Sequence, residues 1–173
     1  IAGTNIPSKS VSGDYYDCIP LPNGRFALIV ADVTGKGMPA ALLVSSLHAY
    51  LSAYLEMTNV LPELLGKLNK ALCRATTEDK FVTAFIALLS PETGEIEFTS
   101  AGHNPAYLLK NNGTVEEINI GGPPLGIIDM GLTYLSGRTS IEKGERLLLY
   151  TDGVTEAMNA EDEMYEGTVS LQG

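Results

Sequence analysis

Apolar and polar positions alternate most clearly near the start of the chain. Residues 15–21 and 25–33 read as strands around Pro22-Asn23-Gly24, where Asn and Gly tolerate the positive φ that a tight turn requires. In the second strand Phe26, Leu28 and Val30 share one face, and Ala27, Ile29 and Ala31 share the other. Both faces are apolar, which predicts a strand covered on both sides. The period then lengthens to three and four. Leu43, Leu47, Tyr50, Tyr54 and Met57 mark a helix whose first turn accommodates Pro39, after the Gly35-Lys36-Gly37 turn. Leu61, Leu64, Leu65, Leu68 and Leu72 mark a second helix, with Asn59 as its expected N-cap.

Strand-like runs return at 81–89, 95–100, 106–109, 115–120, 133–139 and 146–151. Turn residues separate them: Pro91-Glu92-Thr93-Gly94, Asn111-Asn112-Gly113, the Gly/Pro loop at 121–126, and Glu142-Lys143-Gly144-Glu145. A short helix is expected over 153–158. Hairpins with few crossovers imply an α+β fold, with helices packed outside antiparallel sheets. No repeat, charge block or low-complexity linker divides the sequence, so residues 1–173 read as one domain.

Composition narrows the function. The 173 residues carry 11 Lys+Arg against 21 Asp+Glu, a net charge of −10. That balance argues against nucleic-acid binding, which draws its affinity from cations on phosphates, and against an anionic membrane surface. The most apolar runs, such as 26–30 and 147–150, are too short to span a bilayer, so no membrane insertion is expected. No secretory leader precedes Ile1, and the absence of a starting Met leads us to expect a piece of a longer chain. Cys18 and Cys73 are too few and too far apart for a disulfide framework or a zinc site, and are expected to be buried thiols in a reducing cytoplasm.

Three acids stand at the ends of apolar strands: Asp14, Asp32 and Asp152. Each alone has a plain alternative as a turn or cap residue. A hairpin centred on Asn23 pairs residues whose numbers sum to 46, which makes Asp14 and Asp32 cross-strand neighbours with Cβ atoms about 5 Å apart. Like charges that close repel, and a hard dication with oxygen ligands is the usual relief.

Four motifs then occur in order: Ser12-Gly13-Asp14-Tyr15-Tyr16-Asp17, Ala31-Asp32-Val33-Thr34-Gly35-Lys36-Gly37-Met38-Pro39-Ala40-Ala41-Leu42, Ser100-Ala101-Gly102-His103-Asn104-Pro105, and Leu149-Tyr150-Thr151-Asp152-Gly153-Val154-Thr155-Glu156-Ala157. Together they resemble the SpoIIE/RsbU-like branch of the PPM-type, metal-dependent serine/threonine protein phosphatases. The resemblance implies an α/β/β/α four-layer sandwich with two Mn²⁺ or Mg²⁺ ions at one end of the sheets. It implies that Asp32 bridges both ions, that Asp14 and the backbone carbonyl of Val33 serve one, and that Asp152 serves the other. A water acidified between the cations would attack phosphorus, so no protein nucleophile is required. Cys18 lacks a thiol-phosphatase loop around it. By the same resemblance the substrate is a phosphoserine on a STAS-type anti-sigma-factor antagonist, and an upstream sensor or receiver domain supplies the signal.

The sequence departs from the family in one place. A late Asp-Asp run is expected as a further ligand, and none occurs before Gly173; Asp162 stands too close to Asp152 to replace it. This supports one rival, a non-catalytic binding module; a second rival is a two-metal phosphodiesterase, which uses similar ions on different substrates. Lys36 and His103 are the candidate substrate-binding residues, Lys36 as a point charge and His103 as a phosphate-positioning group or acid. A solvated lysine and a hydrogen-bonded turn histidine are the alternatives. His48 reads as a packing or surface residue, Asp17 as structural, Asn104 and Glu156 as loop holders, and the Tyr50/Tyr54 stripe as core.

Overall fold

The computed structural model describes residues 1–7, 12–35, 37–75, 80–129 and 131–158. Along the chain these form β1 (Asp14–Pro20), β2 (Phe26–Val33), α1 (Met38–Met57), α2 (Leu61–Ala75), β3 (Val82–Leu89), β4 (Glu95–Ala101), β5 (Ala106–Leu109), β6 (Val115–Ile118), β7 (Gly121–Gly122), β8 (Gly137–Ser140), β9 (Arg146–Leu148) and α3 (Asp152–Thr155).

The first hairpin forms as the turn chemistry predicts. Gly24 sits at φ 78°, and the Leu21 N–H donates to the Arg25 carbonyl at 2.8 Å to close the turn. The register pairs Asp14 with Asp32 and Pro20 with Phe26. β2 continues outward to β3 and β3 to β4, each antiparallel. β7 and β8 complete this larger sheet, and both pair with β4. A smaller sheet runs β6-β5-β9.

The two faces of β2 and β3 explain the layering. Ala27, Ile29, Ala31 and Val33 join Val82, Ala84, Ile86 and Leu88 against Leu43, Leu47 and Leu51 of α1 and Leu61, Leu64, Leu65, Leu68 and Leu72 of α2. The opposite face sends Leu28, Phe85, Ala87, Ile96 and Phe98 against Ala106, Leu108, Ile118, Leu147 and Leu149 of the smaller sheet and its flank. Phe85 and Phe98 stack there with centroids 5.9 Å apart. Helices, sheet and sheet are thus three successive layers of the expected α+β sandwich. Beyond the smaller sheet, α3 is the one helix among the described residues that follows it in sequence.

Several local expectations are corrected. The sheets are not wholly antiparallel, because β7 runs parallel to β4. The 133–139 strand shortens to β8, and the 153–158 helix becomes α3. Asn59 does not cap α2. The Thr58 hydroxyl accepts the Val60 N–H at 3.2 Å and donates to Glu63 Oε2 at 2.9 Å, so Thr58 ties down the helix start. Cys18 and Cys73 are half-buried free thiols, less enclosed than expected. The 20 residues of α1 are also long and apolar enough to cross a membrane by length and composition. Scattered Ser and His positions masked that run in the sequence. In this fold its Ala40, Leu43, Leu47, Leu51 and Leu55 are buried.

Candidate metal centre

The two sheets deliver the three acids from different directions. Asp14 opens β1 and faces Asp32 directly across the ladder. Asp152 comes from the other sheet: β9 ends at Leu148, and the chain turns through Thr151 into α3. One carboxylate oxygen from each of Asp14, Asp32 and Asp152 lies within 4.8 Å of the other two. All three residues are half-buried.

Ser12 and Gly13 set the approach of Asp14. The Ser12 hydroxyl accepts the Asp14 N–H at 3.0 Å and lies 3.2 Å from Asp14 Oδ2, to which it donates. Gly13 passes so close to the neighbouring strand that a Cβ would sit 2.7 Å from the Val33 carbonyl oxygen and 3.4 Å from Asp32 Oδ1. The Val33 N–H donates back to the Gly13 carbonyl at 3.2 Å, which holds the Val33 backbone beside the acids.

The cluster is electrostatically crowded. Burial pushes the Asp32 carboxyl up to about 6, and the charges of Asp152 and Asp14 push in the same direction; the Val33 N–H opposes them and Glu156 adds a smaller upward push. The donors are oxygen only, they converge, and Gly13 leaves room beside them. Hard divalent cations fit that donor set.

His103 follows β4 and is held by hydrogen bonds. It is buried at 6% exposure, with Nδ1 2.9 Å from the Thr83 hydroxyl and Nε2 3.0 Å from the Tyr150 carbonyl. Both ring nitrogens are engaged, so the phosphate-contact expectation gives way to the hydrogen-bonded one. Burial holds its pKa below the ordinary histidine value, against the pull of the Tyr150 carbonyl and of Asp152 and Asp14. Lys36 lies outside the described residues, as do Asp162 and the segment in which the late acidic run was sought.

Asp17 and His48 are engaged with Tyr15 rather than with the three acids. Asp17 accepts from the Tyr15 hydroxyl at 2.8 Å and from the Cys18 N–H at 2.7 Å. His48 Nδ1 reaches Tyr15 at 2.9 Å and Asp17 at 3.3 Å, so this trio ties β1 to α1. Tyr50 and Tyr54 stack against each other beside the helical core. Glu156 closes the end of α3 through its backbone N–H, which donates to the Asp152 carbonyl. Ser12, Gly13, Thr83 and Tyr150 were not singled out in the sequence, although Ser12 and Gly13 stand in the first motif and Tyr150 in the last.

Known proteins match both the sequence and the shape. The family model described as Stage II sporulation protein E (SpoIIE) matches residues 22–172. The chain is 32% identical over 158 residues to phosphoserine phosphatase RsbU of Bacillus subtilis (strain 168), covering 90% of this chain and 46% of that protein. It is 30% identical over 151 residues to phosphoserine phosphatase RsbP of the same organism, covering 85% and 37%. The chain therefore spans less than half the length of these relatives. Among solved structures, the RsbU and RsbW domains of Rv1364c from Mycobacterium tuberculosis superpose with a TM-score of 0.76 at 26% identity, covering 87% of this chain and 42% of that one. The PP2C phosphatase domain of SpoIIE from Bacillus subtilis shares the fold, with a TM-score of 0.74 at 22% identity and coverage of 86% and 43%. With the family model spanning residues 22–172, most of the sequence, the chain belongs to the SpoIIE family.

Proposed function

We propose that this chain is a phosphatase domain that hydrolyses phosphoserine on a regulatory protein with the help of two divalent cations, Mn²⁺ or Mg²⁺. The observation that carries the reading is the convergence of Asp14, Asp32 and Asp152 from two separate sheets. Asp32, with a carboxylate oxygen within 4.8 Å of one from each of the other two acids, would bridge the cations; Asp14 and the Val33 carbonyl would hold one, and Asp152 the other. When bound, the cations supply an acidified water as nucleophile and screen the charge of the phosphoryl group. The chain's own part is alignment. Ser12 fixes the Asp14 carboxylate, Gly13 lets β1 approach the Val33 carbonyl, and α3 presents Asp152 from the far side.

The relatives named phosphoserine phosphatases support serine as the phosphorylated residue. A STAS-type anti-sigma-factor antagonist is the substrate we put forward, with an upstream sensor or receiver module as regulator. The short coverage of RsbU and RsbP leaves space in such proteins for a module of that kind. Residues 1–173 would act as one domain of that longer protein, and two free thiols suit a reducing cytoplasm.

The test is hydrolysis of a phosphoserine protein and of an aryl phosphate, with Mn²⁺, with EDTA, and with Asp32→Asn. Turnover that needs the cation and disappears in the variant supports the proposal. Cation binding without turnover of either substrate would make the chain a binding module, and turnover of phosphodiesters alone would make it a phosphodiesterase.

A further inference from the structure

We propose that His103 is a positioning residue, which aligns Asp152 with Asp14 and Asp32 by bracing the two sheets against each other at the acidic end; this rests on the metal-centre reading. The ring lies on the segment that crosses from β4 of the larger sheet to β5 of the smaller one. One nitrogen reaches back to β3 through Thr83, whose Cα partner across the ladder is Asp32. The other reaches the Tyr150 carbonyl, two residues before Asp152.

The partners dictate the tautomer. A carbonyl oxygen only accepts, so Nε2 carries the hydrogen. The buried ring stays neutral, Nδ1 is left as an acceptor, and the Thr83 hydroxyl must donate to it. The histidine backbone and the Tyr150 end of the brace are themselves fixed. The Ser100 hydroxyl accepts the His103 N–H at 3.1 Å and lies 3.3 Å from the His103 carbonyl. The Tyr150 ring stacks on Tyr107 with centroids 6.0 Å apart. An apolar side chain of similar size would fill the space without setting the distance between Thr83 and Tyr150. The imidazole sets it, because two directed bonds leave opposite edges of a rigid ring.

The experiment uses the full-length protein and Mn²⁺ alone as the probe. Mn²⁺ affinity is measured by calorimetric titration for wild type, His103→Ala, His103→Gln, Thr83→Val and the double variant His103→Ala/Thr83→Val, and ¹⁵N NMR reads the His103 tautomer at pH 7. Partners that orient ligands typically account for about 10–100-fold in metal affinity. His103→Ala should lose about tenfold or more, Thr83→Val less, and the double variant no more than His103→Ala. Gln, which keeps an N–H for the Tyr150 carbonyl, should recover part of the loss, and the wild-type ring should be neutral with hydrogen on Nε2. Hydrogen on Nδ1, unchanged Mn²⁺ affinity in a folded His103→Ala, or losses that multiply in the double variant would each overturn the brace alone. Should His103→Ala fail to fold, Thr83→Val and the tautomer decide the matter in the same directions. Wild-type protein that binds no Mn²⁺ would overturn the metal-centre reading and the brace with it.

Discussion

Replacing Asp32 by Asn should make the cation-free protein more stable while removing its function. In the folded state the Asp32 carboxyl is pushed up from 3.8 to about 6, chiefly by burial and then by Asp152 and Asp14. The native state therefore holds that proton more tightly than the unfolded chain does. Stability in EDTA is undiminished below the unfolded value and falls as pH rises from about 4 through about 6, where ionised Asp32 opposes folding in full. The gap amounts to roughly 3 kcal/mol at face value. Asp32 is only half-buried, and solvent screening reduces the figure to about 1–1.5 kcal/mol. Asn keeps the shape and an acceptor for the Val33 N–H but carries no charge. At pH 7.5 in EDTA, Asp32→Asn should melt about 3–5 °C above wild type, and at pH 4 the two should coincide. Saturating Mn²⁺ should reverse the order, because a cation at a hundred times its dissociation constant stabilises wild type by about 2.7 kcal/mol. Thermal melts over pH 4–8, with and without EDTA, check all three expectations. A variant less stable than wild type in EDTA at pH 7.5, or offset equally at every pH, would refute the claim that the acids are crowded.

Three further changes probe the scaffold. Gly13→Ala places a methyl 2.7 Å from the Val33 carbonyl oxygen, so β1 must shift; we expect about 1–3 kcal/mol of destabilisation by urea titration and a fall in Mn²⁺ affinity measured alongside it. Asn69→Ala leaves the Gly126 N–H and the Ile128 carbonyl without the partners they have at 2.8 Å, and should cost about 2–3 kcal/mol in equilibrium unfolding. Thr58→Ala removes the hydroxyl that bonds the Val60 N–H and Glu63, and should cost about 1 kcal/mol in the same assay.

Local chemistry made some of this structure legible in the sequence. The Asp14–Asp32 pairing follows from a short turn and a two-residue period, both read within twenty residues. The covered strand β2 is equally plain, since each of its faces is apolar. What escaped depends on distant partners. Gly121-Gly122 looks like loop, yet the missing side chain of Gly121 is what lets β7 lie against the Ser100 backbone, and that of Gly122 leaves room for the Tyr134 ring. The run at 133–139 contains Tyr134, which is buried in the helical core, while the regular ladder begins only at Gly137. A hydrogen-bonded His103 was one of its two readings, but the groups that hold it were not legible, because Thr83 and Tyr150 lie 20 and 47 residues away. Thr58 and not Asn59 supplies the side chain that ties down the entry to α2, because its hydroxyl bonds the Val60 N–H and Glu63 together, a choice made by helix entry geometry and not by residue preference. The arrival of Asp152 beside the hairpin acids followed from the family resemblance alone, since no local rule says how two sheets will stack.

That stacking also explains how like charges can be held together before any cation binds. Asp14 and Asp32 share one hairpin, but Asp152 joins them only because the smaller sheet is packed against the larger. The layer between the sheets contains Phe85, Phe98, Ile96, Leu108 and Ile118, all buried. Fully burying a side chain of this size contributes about 1.5–3 kcal/mol, so any two of them outweigh the roughly 1–1.5 kcal/mol by which ionised Asp32 opposes folding. The ionised carboxylate therefore cannot push the sheets apart, and the acids remain assembled in the cation-free protein. A site of this kind binds cations without first refolding, so Mn²⁺ titration should leave the far-ultraviolet circular dichroism unchanged while raising the melting temperature. A large gain of secondary structure on adding Mn²⁺ would show instead that the apolar layer is too weak to hold Asp152 in place.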